Sequence, residues 1–160
     1  MVSFWANHSN IVQPTPKGWP RLSASVYYDD PRRAIAWLCA AFGFEQRMLV
    51  EGDDGTVVHS EITFGEGLVM VGGTGAGTKG EAWASAMSSP QSIGGKITGA
   101  LCFFVDDVDA HHATAVANGA TIVRPTTTTD YGDDFWTDRS YGARDPEGQL
   151  WWFMQRIRGG

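Results

Sequence analysis

The sequence has two cysteines, no cluster of lysines or arginines, and no apolar run long enough to cross a bilayer. Each shortage removes a class of answer. Phosphate recognition needs a basic face, and here twelve scattered basic residues stand against eighteen acidic ones for a net charge of −6, so no nucleic-acid partner is expected. The longest mostly apolar stretch without a charge, Ala34 to Phe44, is far short of the ~20 residues a membrane helix needs, so no membrane partner is expected. Cys39 sits in an apolar helical pattern and Cys102 in the run ALCFFV, both places for a small hydrophobe. A reducing compartment suits them, and no disulfide is expected. The first twenty residues lack the basic start and continuous apolar stretch of a secretory signal, which points to a cytoplasmic protein.

What is present is a chain of 160 residues, 42% apolar, with 20 glycines, enough for one domain or two fused small modules with a core of their own. Residues 1–20 carry Pro14, Pro16 and Pro20 and no periodicity, and read as an extended arm. From Arg21 to Tyr28 the pattern is that of a strand. Asp29-Asp30-Pro31 then supplies capping carboxylates and a proline for the first helical turn. Ile35, Leu38, Cys39 and Phe42 recur at helical spacing until Gly43 stops the helix. Three strands are expected next, over Gln46 to Val50, Val57 to Phe64 and Leu68 to Val71, separated by DDG and GEG turns.

A segment rich in Gly, Ser and Ala, about 73–96, reads as a linker, and after it the same order returns. TGALCFFV is a strand, Asp106-Asp107 precede a helix, Asn118-Gly119 end it, and three strands follow at Thr121 to Arg124, RSYGAR and Gln149 to Gln155. Asp29-Asp30 match Asp106-Asp107, Gly43 matches Gly119, and Gly67 matches Gly148, at nearly constant offset. The chain is therefore read as two tandem βαβββ modules, about 21–72 and 97–156, of α+β class, each helix covering one face of a four-stranded sheet.

This duplicated order, the segment VDDVDAHHATAVANGATIV and the ending DRSYGARDPEGQLWWFMQ resemble the vicinal oxygen chelate superfamily, which includes glyoxalase I, bleomycin resistance proteins and extradiol dioxygenases. The resemblance covers about residues 21–156. It implies curled mixed sheets around a shared cavity and a homodimer, with metal ligands, where members use them, on the first and last strand of each module. Carried onto this sequence, those positions are Ser23, Val71 or Met70, Ala100 and Trp152. None suits a divalent ion, which wants imidazole, carboxylate or thiolate. No cofactor is expected on this ground.

Alternation in strands sorts the remaining candidates. Val58, Ser60, Ile62 and Phe64 are expected under the helix, leaving His59, Glu61 and Thr63 on the cavity side. Ser23, Ser25 and Tyr27, Ala100, Cys102 and Phe104, and Leu150, Trp152 and Met154 are read the same way. The ligand-binding set is Ser25, Tyr27, His59, Glu61, Phe104, Trp136, Trp152 and Met154, with Trp152 and Trp136 suited to stack on a planar or cationic molecule. His59 and Glu61 are also the candidates for acid–base chemistry.

Other features are read as structural. His111-His112 point about 100° apart on a helix and read as solvated surface. Trp151 and Phe153 belong on the helix-packed side. Asp133 and Asp134, with Asp138, read as a solvated acidic loop around Trp136. Asp145 reads as a turn residue with Arg144 or Arg139 as partner, GGTGAGTKG lacks phosphate-loop spacing, and His8 lies in the arm. The function expected is binding and sequestration of a hydrophobic or cationic small organic molecule by a metal-free homodimer. The alternative is a metal-dependent glyoxalase-like lyase, isomerase or dioxygenase with shifted ligands.

Overall fold

The computed structural model describes residues 13–74 and 84–159. The first half runs β1 (Ala24–Tyr28), α1 (Pro31–Phe42), β2 (Glu45–Glu51), β3 (Val57–Phe64) and β4 (Gly67–Gly73). The second repeats it as β5 (Leu101–Phe104), α2 (Val108–Ala117), β6 (Thr121–Asp130), β7 (Thr137–Arg144) and β8 (Leu150–Arg158). Each half is a four-stranded mixed sheet, ordered β1-β4-β3-β2 and β5-β8-β7-β6, with only the first-listed pair of each parallel. No helix among the described residues is long and apolar enough to cross a membrane.

Local chemistry sets the helix ends. Asp30 accepts from the Arg33 amide at 3.0 Å ahead of Pro31, and Gly43, at φ 72°, closes α1 in the left-handed conformation a side chain resists. Asp107 does the same for α2, accepting from the amides of Asp109 and Ala110. The apolar face of α1, with Ile35, Leu38, Ala41 and Phe42, is buried.

The sheets stay open, and their helix-covered sides meet in a single core that joins Val26, Tyr28, Ile62 and Val71 of the first sheet to Tyr141, Trp151 and Phe153 of the second. Phe42 at the end of α1 packs on Phe153 with ring centroids 4.7 Å apart, and Phe44 and Phe64 pack on Phe103 at 5.2 and 5.7 Å. Since side chains alternate along a strand, the opposite faces of both sheets point away from this core. Each buried aromatic removes a large apolar area from water, about 1.5–3 kcal/mol apiece, so the preference for this packing over an empty central cleft is strong.

A polar lock reinforces it. Asp145, in the turn before β8, is buried and accepts from the Tyr28 hydroxyl at 2.5 Å, the Trp151 indole at 3.0 Å, and the amides of Glu147, Gly148 and Gln149. Glu147 accepts from the amides of Asp29 and Asp30 at 2.6 and 2.9 Å, so the second module's turn caps the start of the first module's helix. Asp145 is thus a turn residue, but its partners are Tyr28 and Trp151. Arg139 instead pairs with Asp109 and Arg144 bonds the carbonyls of Gly95 and Gly148.

His111 is not solvated helix surface. It is half-buried with its ring 4.2 Å from that of Phe153, Nε2 lies 3.1 Å from the Phe42 carbonyl, and Nδ1 lies 2.7 Å from the Tyr141 hydroxyl. A carbonyl only accepts, so Nε2 carries the proton and Nδ1 receives the Tyr141 hydrogen. The histidine thereby satisfies a carbonyl left open at the C-terminus of α1. Its neighbour His112 sets its ring edge-on to Tyr141 at 5.0 Å. Strand β6 runs on to Asp130 rather than stopping at Arg124: it is an edge strand, where Pro125 costs no ladder bond, and its pairing with β7 is irregular between Arg124 and Thr127. Val58, expected under the helix, is exposed. Two short 3₁₀ turns, Ala84–Ala86 and Gln91–Ile93, interrupt the linker; His8 and most of GGTGAGTKG lie outside the described residues.

Candidate functional site

The eight candidate binding residues divide between two outward faces. On the first sheet the register places Ser25 beside Met70, Met70 beside Glu61, and Glu61 beside Met48. Tyr27 pairs with Gly72, and a Cβ at Gly72 would sit 3.0 Å from the tyrosine ring, so the glycine lets the ring lie against the strand. His59 Nε2 is 3.0 Å from Glu61 Oε1. Glu61 is only 1% exposed, and its Oε2 has no hydrogen bond, lying 3.3 Å from Arg47 Nε as an ion pair. Arg47 also donates to the Gly18 carbonyl at 2.7 Å and stands 5.3 Å from the Trp19 ring, which ties the end of the arm to this sheet. A buried carboxylate is costly without a countercharge, and Arg47 provides it, with His59 as a hydrogen-bond partner at the other oxygen.

Arg47 and Trp19 escaped the sequence reading. The strand β2 slips register between Gln46 and Met48, and a slip breaks the parity on which alternation rests.

The second face is more aromatic and carries guanidinium groups. One row across it is Arg124, Gly142, Trp152 and Cys102, the next is Thr127, Ser140, Met154 and Phe104, and Thr129, Asp138 and Arg156 form a third. A Cβ on Gly142 would stand 2.7 Å from Trp152 Cζ3, so the indole lies flat over that glycine and reaches toward Arg124, whose guanidinium carbon is 5.9 Å from the ring centre. Arg156 stands 5.4 Å from the Phe104 ring and 5.0 Å from the Trp136 ring, and its Nε donates to Asp138 Oδ1 at 2.5 Å. Asp138 therefore belongs to the sheet and not to a solvated acidic loop. Cys102 is exposed on this face rather than buried as a small hydrophobe.

The first face encloses little volume alone. The hollow over Tyr27, His59, Met70 and Gly72 holds about 170 Å³, whereas small-molecule sites run from ~300 to ~1,000 Å³. A larger groove of about 600 Å³ opens between β1 and β4 on one side and β5 on the other, lined in part by Leu22, Leu68, Cys102 and Phe104.

Two open mixed sheets of identical order, each backed by one helix, match a known family. The family described as Glyoxalase/Bleomycin resistance protein/Dioxygenase superfamily matches residues 22–153. The chain belongs to this superfamily. Among solved structures it is similar to TioX from Micromonospora sp. ML1, at 31% identity and a TM-score of 0.64 over 84% of this chain and 98% of that one. It also shares its fold with a superfamily member from Sphaerobacter thermophilus (16% identity, TM-score 0.62, 85% and 97% covered) and an enzyme of the family from Burkholderia phytofirmans (18%, 0.57, 84% and 98%). Among curated proteins none matches.

The resemblance implies metal ligands on the first and last strand of each module, and the residues at those places here do not fit a metal. Val71 is buried in the core, which leaves Met70 as the outward residue of β4. The set is then Ser23, Met70, Ala100 and Trp152: a hydroxyl, a thioether, a methyl and an indole. Among the described residues no three His, Cys, Asp or Glu side chains converge. The shifted pair His59 and Glu61 is engaged with itself, and the positive charge of Arg47 opposes a divalent ion at Glu61 Oε2.

Proposed function

We propose that the protein binds and sequesters a small, largely apolar organic molecule without a bound metal, in the manner of the bleomycin resistance branch of its superfamily. The observation that carries this reading is Trp152, laid flat over Gly142 in the middle of an open face with Phe104 and Met154 beside it. An indole held this way offers a rigid apolar plane at little entropic cost. Hydrophobic and cationic ligands both suit such a ring by the physics of aromatic faces, and the side chains beside it, rather than the net charge of the chain, decide between them.

The active unit in this reading is a homodimer. The hollow on the first face is small, and exposed apolar residues lie on both sheets, including Met48 and Val50 on the first and Phe104 on the second. A second copy that sets its second face against the first face of its partner would join His59, Glu61, Tyr27 and Ser25 to Trp152, Phe104, Met154 and Trp136 in one enclosed crevice.

The test combines sedimentation, metal analysis and titration of a panel of aromatic compounds by calorimetry. A dimer without stoichiometric metal is expected, with Trp152→Ala weakening binding about tenfold or more, the loss of one large apolar contact, at unchanged oligomeric state. A monomer that still binds would overturn the composite crevice. Retained metal that disappears in His59→Ala would overturn the metal-free reading and direct the work to lyase or dioxygenase substrates.

A further inference from the structure

We infer that the second face selects planar aromatic molecules that carry an anionic group, a preference opposite in sign to the one the acidic chain suggests. This rests on the small-molecule reading above and sharpens it to a ligand class. The aromatic rings a cationic ligand would seek already face cations of the chain itself. The Arg124 guanidinium lies 5.9 Å from the centre of the Trp152 ring, and Arg156 stands between Phe104 and Trp136. A cationic ligand stacking there meets like charge at close range. An anionic one meets opposite charge.

The two guanidinium groups differ in what they have left to give. Arg156 is partly spent, because its Nε donates to Asp138, a carboxylate only 7% exposed. Arg124 is not. Its Nη2 donates to the Thr129 hydroxyl at 3.3 Å, and among the described residues no carboxylate pairs with it. Arg124 lies in the same row as Trp152, across Gly142, where the absence of a side chain leaves the indole and the guanidinium side by side. A flat ring placed on the indole brings a ring substituent to the guanidinium fork, whose paired N–H groups match a carboxylate. The hydroxyl of Ser140 in the next row offers a further donor, while that of Thr127 is given to the Pro125 carbonyl. The face therefore carries a net positive charge on an acidic protein, with an aromatic plane beside it.

The test uses three ligands of one shape and different charge: naphthalene carboxylate, naphthyl methanol and naphthyl methylammonium, titrated calorimetrically into the full chain at low ionic strength. The carboxylate is expected to bind about tenfold tighter than the ammonium, with the alcohol between them, the scale of one partly screened charge pair. Arg124→Gln should bring the carboxylate down to the alcohol while leaving the alcohol unchanged, and Arg124→Lys should keep part of the preference. In the unaltered protein, added sodium chloride should weaken the carboxylate and not the alcohol, a readout independent of any variant. Equal or tighter binding of the ammonium overturns the inference, as does a preference that survives Arg124→Gln or ignores salt. Equal binding of all three overturns the charge preference and leaves the small-molecule reading standing. Binding of none overturns both.

Discussion

Tyr28→Phe removes one hydroxyl and no ring, so it isolates one of the bonds that join the two modules. The Tyr28 hydroxyl donates to Asp145 Oδ2 at 2.5 Å with both residues buried, and the Trp151 indole is the second donor to the same oxygen. Hydrogen bonds to charged groups contribute about 1.5–3 kcal/mol, and the loss is felt in full where water cannot replace the donor. For a chain of this length, each kcal/mol moves Tm by roughly 2–4 °C, so a fall of about 4–8 °C is expected for a loss near 2 kcal/mol. Urea melts should show a lower midpoint at unchanged slope. Burial raises the pKa of Asp145 above the ordinary carboxylate value, and the two donors pull it back down. A carboxyl whose folded pKa is raised lends stability below its unfolded value, and that contribution is lost as pH rises through the folded one. At neutral pH the hydroxyl therefore supports a charged, buried oxygen; in acid it faces a neutral one. The Tyr28→Phe penalty should shrink from pH 7 toward pH ~4. A penalty below about 0.5 kcal/mol at neutral pH, small against the ~1.5–3 kcal/mol expected of such a bond, or one that does not change with pH, would refute the argument.

His111 should give the molecule a weakness of the opposite sense. Burial holds its pKa below the ordinary histidine value, so its stabilising contribution is present above pH ~6.5 and lost as pH falls through the lowered folded value. Urea midpoints should drop on acidification in the unaltered protein and less steeply in His111→Asn, which cannot titrate; parallel slopes would count against it. Gly142→Ala should displace the indole of Trp152, because the new methyl would stand 2.7 Å from its ring. Naphthalene carboxylate binding is expected to fall about tenfold or more, the loss of one large apolar contact, with the far-ultraviolet circular dichroism unchanged; unchanged affinity would show that the flat placement is not needed.

The duplicated fold was legible because its markers are local: the carboxylate pairs before each helix, the glycines after them and the turn glycines at matching offset. The strand faces followed from alternation, and Ser25, Tyr27, His59, Glu61, Phe104, Trp152 and Met154 all lie on the helix-free faces of the two sheets. The mutual orientation of the modules was not legible. Alternation says which side chains share a face, and it is silent on whether two such faces look inward or outward; that was decided by Phe42, Phe44 and Phe103, whose packing joins the helix-covered sides. His111 was misjudged because helical spacing alone gave it a solvated position, while its actual surroundings come from another element, the end of α1. Arg124 and Arg156 were overlooked as site residues because a basic residue in an acidic sequence reads as solubilising charge until its ring neighbours are known.

The turn at residues 145–148 gives the two halves unequal standing during synthesis. Glu147 caps the first helix of the first module and Asp145 holds Tyr28, whereas Glu66, the equivalent residue of the first module, forms no such bond to the second among the described residues. The first module therefore emerges complete in its own strands but without the acceptors for the amides of Asp29 and Asp30 or the hydroxyl of Tyr28. Those groups stay with water until the last strand arrives. A chain stopped before residue 145 has every element of its first half and keeps the packing of Phe44 and Phe64 on Phe103, but lacks the acceptors that Asp29, Asp30 and Tyr28 use.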